Sequence, residues 1–281
     1  MIKNILVCTN SLNSNDNTIQ AAAKYAVKNN ACLTGLYIKV DLINRYYTSE
    51  AISVQLTNSI LEDEKQYERA AEEQFNKITE NIGCNTAWHC INEGTELIHL
   101  MFYTDLIFMS YLLNIEGKLP GGSDLSGPGF INNLLLETGR PIVVIPEGWT
   151  KDNFGQKIIF GWNESRESAR AMHEALPLMQ QAEKVDIVTI NETNNDRGDL
   201  AHSMNISTYL SRHGITCQLH IDQTNKQTPK IGQVILAQAD ENNSDLIVIG
   251  GYGHSHIREV IFGGVTRYLI KNTNIPLMLA H

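Results

Sequence analysis

Residues 245–266 read DLIVIGGYGHSHIREVIFGGVT, and their reading decides the fold. A short apolar run, Leu246 to Ile249, ends on Gly250 and Gly251; Gly253 follows, and Gly263 and Gly264 stand just before Val265 and Thr266. A strand, a glycine turn and a helix start are predicted. Glycine lets backbone N–H groups face a ligand with no Cβ in the way, which is how phosphates are usually cradled. Two well-known phosphate loops do not fit these residues. A G-x-x-x-x-G-K-[ST] loop needs a lysine, and none lies between Gly250 and Thr266. The dinucleotide fingerprint needs a third glycine where His256 stands. What remains is G-x-x-G-x9-G, carried by Gly250, Gly253 and Gly263.

Outward from this stretch the chain alternates apolar runs with amphipathic ones. Strands are predicted at residues 4–9, 31–40, 87–91, 105–112 and 141–146. Helices are predicted from a Thr18 cap through Ile19, Ala22, Ala23, Ala26 and Val27, over 53–82 up to Gly83, from Thr95, and over 130–138. Residues 117–129, rich in Gly, Pro and Ser, read as a loop. The same programme then restarts. Strands are predicted at 157–162, 184–190, 215–221 and 275–280 beside the opening run, with helices after Asn163–Ser165, over 200–212, over 229–240 and over 265–271. NILVCTN matches KIIFGWN, DLIFMS matches DLIVIG, and RPIVVIP matches IPLMLA. This is a duplication of roughly 140 residues, so two tandem domains are expected, 1–147 and 156–281, joined by a polar linker. Alternating strands and helices imply right-handed crossovers and, in each domain, a parallel sheet covered on both faces.

Composition narrows the function classes. Net charge is −9 with no basic run, which argues against nucleic acid and anionic membrane as partners. The first ten residues, MIKNILVCTN, are too short an apolar run for a signal peptide or a spanning helix, and a cytoplasmic location is expected. Cys8, Cys32, Cys84, Cys90 and Cys217 are scattered, with no C-x-x-C pair. They read as reduced thiols, neither a disulfide framework nor a zinc site.

The glycine spacing together with the duplication resembles the universal stress protein family, over the whole chain as a tandem pair and most specifically in the second half. The resemblance implies α/β domains, each with a five-stranded parallel sheet. It also implies an adenine nucleotide, ATP or another, lying across the carboxyl ends of the first and fourth strands, with magnesium only as the nucleotide's companion. Gly250, Gly253 and Gly263 match the family's glycines, which contact ribose and phosphates. By the same resemblance Trp162, Asn163, Val188, His254, Gly264, Val265 and Thr266 complete the expected site. Where the family usually has Ser or Thr after the third glycine, this chain has Gly264, and Thr266 is the nearest hydroxyl. Where the family often has Asp, it has Asn163, whose amide can still pair with an adenine edge. The family often joins domains through edge strands, so an intramolecular pseudo-dimer or a homodimer built on residues 142–145 and 276–280 is an expectation.

Bland readings stand beside these. His254 and His256 lack further metal ligands nearby, and Arg258 with Glu259 reads as a solvated pair as readily as a γ-phosphate contact. Trp162 reads as core or as a base platform, and Ser165, Arg166 and Ser168 as first-turn caps or phosphate contacts. In the first half Ser110 and Leu113 stand against the fourth-strand glycines, Pro128 and Gly129 against Gly263 and Gly264, and Asn10 against Asn163. Leucine adds bulk and proline removes an N–H, so a degenerate partner domain is expected there. No nucleophile elbow, H-E-x-x-H or placed carboxylate pair is present, and ATP hydrolysis, if any, is expected to be slow. The expected function is a stress-response protein regulated by adenine nucleotide; the alternative is a nucleotide-free interaction scaffold.

Overall fold

The computed structural model describes residues 1–10, 16–39, 54–92, 95–110, 127–151, 154–191, 205–223, 228–251 and 263–281. It divides into two compact units, residues 2–140 and residues 141–281 with Met1.

In the first unit β1 (Asn4–Cys8), β2 (Cys32–Lys39), β3 (Thr86–Asn92) and β4 (Leu106–Ser110) form a parallel array in the order β3-β2-β1-β4. Helix α1 (Asp16–Asn29) packs on α2 (Val54–Ile82), and α3 (Thr95–Phe102) on α4 (Gly127–Thr138). Ile19, Ala22, Ala23 and Ala26 are buried at helical spacing, whereas Val27 is 46% exposed, off the buried stripe. Thr18 is not the cap: α1 already begins at Asp16, whose carboxylate suits the positive end of the helix, and Thr18 is buried inside its first turn. Gly83 ends α2 in the left-handed region at φ +74. There the N–H groups of Gly83 and Cys84 turn back to Glu80 and Thr79 carbonyls. Part of the predicted loop, residues 127–129, opens α4; residues 117–126 lie outside the described residues.

The second unit holds β5 (Ile142–Ile145), β6 (Lys157–Trp162), β7 (Lys184–Asn191), β8 (Cys217–Gln223), β9 (Leu246–Gly250) and β10 (Leu277–Ala280). Five of them run parallel in the order β10-β9-β6-β7-β8. The sixth, β5, lies antiparallel along β10, with Leu277 opposite Val144. Helix α5 (Arg166–Met179) packs on β9 and β10; a further helix, α6, spans 205–212, and α7 (Thr228–Glu241) packs on α8 (Gly264–Asn272). β8 starts two residues later than its apolar pattern predicts. The Ile215 N–H is spent on the Leu210 carbonyl, closing α6, so Ile215 belongs to the helix exit.

The duplicated aspartates Asp105 and Asp245 have a structural cause. Asp105 Oδ2 accepts the backbone N–H groups of Lys3 and Asn4 at 2.7 and 2.9 Å, at the start of β1. Asp245 does the same for Gln156 and Lys157, at the start of β6. Each carboxylate thus satisfies donors of the neighbouring strand that the sheet leaves open. Burial raises the Asp245 carboxyl above its ordinary range, and the N–H groups of Lys157, Gln156 and Gly155 pull it back without cancelling the rise. A raised folded-state value means that the folded chain holds this proton more tightly than the unfolded one. Its contribution is therefore full below the unfolded value and is lost as pH rises through the folded one. Asp245→Asn removes that loss, so the variant's stability relative to the parent is expected to improve as pH rises above the ordinary aspartate range of about 4. Urea midpoints over that rise check it; a difference that stays flat with pH contradicts it.

Candidate functional site

β6 and β9 run parallel with Gly161 opposite Ile249, so Trp162 and Gly250 finish side by side at the carboxyl edge of the second unit's sheet. Open α/β sheets bind ligands at this edge. The Trp162 ring rests against Phe160, centroids 5.9 Å apart, and is half-buried. Its indole N–H is buried without a hydrogen-bond partner among the described residues, and so is the hydroxyl of Thr189, its register partner on β7. Two neighbouring buried polar groups thus lack partners here, where such groups are rarely left unmet. Val188, just before, is 1% exposed and stands opposite Gly161 and His220.

Beyond β6 the chain turns sharply. Asn163 Oδ1 accepts the Ser165 N–H at 3.3 Å, and Glu164 sits at φ +56, a strained setting for a side chain other than glycine. Ser165 then caps α5: its hydroxyl accepts the Ser168 N–H at 3.0 Å, while Ser168 Oγ accepts the Ser165 N–H at 3.1 Å. Both serines are therefore helix caps, and Arg166 beside them reaches Glu167 at the surface.

Gly250 has a packing role. A Cβ there would stand 2.5 Å from the Glu167 carbonyl carbon and from the Ser168 nitrogen. The end of β9 thus lies directly on the first turn of α5. On its other side the Gly251 N–H bonds Ala280 O at 2.8 Å, and His281 Nδ1–H donates to Gly251 O at 2.9 Å. Burial pushes the Glu167 carboxyl up, but its own backbone N–H, the Ser165 side chain and the nearby His281 and Arg166 charges outweigh that and hold it below its ordinary range. Gly250 and Gly251 are therefore held between α5 and the end of β10.

Gly263 is the N-cap of α8 and offers no side-chain cap. Gly264 is exposed, Val265 half-buried and Thr266 buried in the first turn. Because α8 leads from β9 into the parallel β10, it begins at the same carboxyl edge. The contrast with α5 is chemical: α5 satisfies its own first turn, whereas the first N–H groups of α8 have no side-chain acceptor supplied by the cap. Gly253 and His254, with His256, Arg258 and Glu259, lie outside the described residues.

In the first unit the matching position works differently. Asn10 Nδ2–H donates to Ile38 O at 2.7 Å, and Asn10 Oδ1 accepts the Ile38 N–H at 3.0 Å. Both ends of the amide extend the ladder to β2. Ser110 ends β4 fully buried, Gly129 lies within α4, and Leu113 is outside the described residues.

One polar cluster went unnoticed in the sequence. Asp186, with no exposure in the middle of β7, accepts from His220 Nε2–H at 2.8 Å. Its other oxygen faces Lys184 Nζ at 2.9 Å, a charge contact without aligned hydrogen-bond geometry. Lys184 also donates to Asn242 Oδ1 at 2.7 Å. An aspartate inside the apolar run KVDIVTI was the available signal. Among the described residues no group of three His, Cys, Asp or Glu side chains is placed to hold a metal, and no helix is long and apolar enough to cross a membrane.

This geometry defines an α/β protein in which Trp162, Gly250 and the uncapped start of α8 come to the carboxyl edge of the second unit's sheet. Residues 155–281 match the model of the universal stress protein family. Over 99% of its length, and 99% of the relative's, it is 22% identical to the universal stress protein Slr1230 of Synechocystis. The crystal structure of a universal stress protein from Archaeoglobus fulgidus covers 99% of this chain and 96% of its own, with a TM-score of 0.70 at 13% identity. A structure from Pseudomonas aeruginosa covers 99% and 93%, with a TM-score of 0.63 at 13% identity. At such identities the structural likeness speaks for the fold, two family-like halves in one chain.

Proposed function

We propose that this chain is a cytoplasmic stress-response protein whose second half binds an adenine nucleotide, ATP foremost, as a regulatory ligand. The observation that carries the reading is the first turn of α8, which starts at Gly263 and Gly264 with no side-chain cap, at the same sheet edge as Trp162 and Asn163. A helix N-terminus with open N–H groups favours phosphate, and the unmet Trp162 and Thr189 groups favour a polar occupant. In this reading Gly250 and Gly253 line the ribose and phosphates, and Asn163 gives up its hold on Ser165 to meet the base. His254, Val188, Val265 and Thr266 complete the wall. The first half serves as a nucleotide-free partner, because the Asn10 amide is already spent on Ile38.

Titration calorimetry of the purified chain with ATP and with AMP tests this. Binding of either supports the reading, and no heat with both overturns it. Gly264→Ser restores a hydroxyl beside the phosphates and is expected to tighten ATP binding about threefold to tenfold, the worth of one added hydrogen bond. Unchanged affinity in that variant would place the phosphates away from α8.

A further inference from the structure

We propose that His281 is a positioning residue for the ligand of the second unit: its side chain holds the start of the glycine motif, and nucleotide affinity depends on a hydrogen-bond donor at its δ position. The inference rests on the nucleotide reading above. Both backbone groups of Gly251 are taken by the end of β10. Its N–H bonds Ala280 O at 2.8 Å, which extends the pairing of β9 with β10 by one rung. Its carbonyl accepts from His281 Nδ1–H at 2.9 Å. Gly251 is buried, so that carbonyl needs a partner inside the fold, and here the partner is a side chain that substitution can remove.

Gly250 and Gly251 open the motif that Gly253 and Gly263 continue. Glycine has the widest backbone freedom of any residue. Because a peptide unit is planar, fixing the Gly251 carbonyl fixes the plane that leads into the rest of the motif. Freedom already removed in the ligand-free chain is not lost again on binding, and the difference appears as affinity. Gly250 is fixed from the other side, where a Cβ would stand 2.5 Å from backbone atoms of Glu167 and Ser168. The Glu167 side chain, only 15% exposed, feels the charges of both His281 and Arg166.

The duplicate supplies an internal contrast. Aligned on Pro141 and Pro276, Pro146 stands where His281 does. A proline ring has no donor to offer. The half in which Ser110 and Leu113 stand against the glycines thus lacks the anchor as well, which ties His281 to the site and not to the strand that carries it.

Three variants of the full chain test this. In Asn the amide nitrogen is bonded to Cγ, as Nδ1 is in histidine, so His281→Asn keeps the donor in place; His281→Gln carries it one bond further, and His281→Ala removes it. The first readout needs no ligand: amide exchange of Gly251, followed by NMR, should quicken about threefold to tenfold in His281→Ala and His281→Gln and stay within about twofold of the parent in His281→Asn. The second is titration calorimetry with ATP, whose binding should weaken about threefold to tenfold in the Ala and Gln variants and return to within about twofold in the Asn variant. Equal exchange in all four chains overturns His281 as the anchor whether or not nucleotide binds. Quickened exchange with unchanged ATP affinity overturns its effect on the ligand. No heat with the parent chain overturns the nucleotide reading and, with it, the ligand half of this proposal, while exchange still decides the anchor.

Discussion

Asp186→Ala is expected to lower the stability of the folded chain by about 3–5 kcal/mol, near the lower figure, because it breaks a buried ion pair from the buried side. The carboxylate is fully buried in β7 and is the shared partner of His220 at 2.8 Å and Lys184 at 2.9 Å. Removing it leaves the His220 ring N–H and the Lys184 ammonium facing an apolar hole. Their side chains keep 27% and 32% exposure, so water can meet part of their need, which sets the lower end of the range. Asp186→Asn distinguishes charge from shape. Its amide oxygen can still accept from His220, but its NH2 then faces the Lys184 ammonium, donor against donor. Denaturant midpoints should fall in both variants, and in Asp186→Ala/His220→Ala the loss should be less than the sum of the single losses. Strict additivity would mean that the pair contributes no coupling.

Gly250→Ala is expected to cost about 3 kcal/mol and to weaken any ligand at the same corner. Its new Cβ would lie 2.5 Å from backbone atoms of Glu167 and Ser168, where no side chain can swing aside. Either β9 or the first turn of α5 must move, and the capping pair of Ser165 and Ser168 moves with it. Gly161→Ala is the built-in comparison. There a Cβ would meet the tips of Ile249 and Ile235 at 3.0 and 3.6 Å, which can give by small rotations, and about 1 kcal/mol is expected. Thermal or urea denaturation should rank the two in that order; equal effects would show that α5 yields as easily as a side chain.

These two sites show how differently the chain could be read in advance. Gly250 was legible as part of a ligand loop, because glycine at a strand end is a local signal. Its packing role was not, since the atoms it spares belong to α5, some eighty residues earlier. Asp186 was legible only as an anomaly in an apolar strand. Its partner His220 is 34 positions away and reaches it only because β7 and β8 pair in one particular register. Asn10 and Asn163 look alike at the ends of matching strands. Yet one extends the ladder to Ile38 and the other folds back on Ser165.

The amino-acid sequence by itself determined the alternation of strands and helices, the duplication and the glycine-rich edge, because periodicity and turn chemistry act over a few residues. Most of the predicted elements returned within a residue or two; the late start of β8 and the early starts of α1 and α4 turned on caps and helix exits that periodicity does not record. Tertiary structure alone decided the antiparallel register of β5 on β10, the anchoring of strand starts by Asp105 and Asp245, and the charge cluster around Asp186. The reason is physical: a buried polar group is satisfied by whatever the fold brings beside it, and that neighbour is set by sheet register and crossover, not by nearness along the chain.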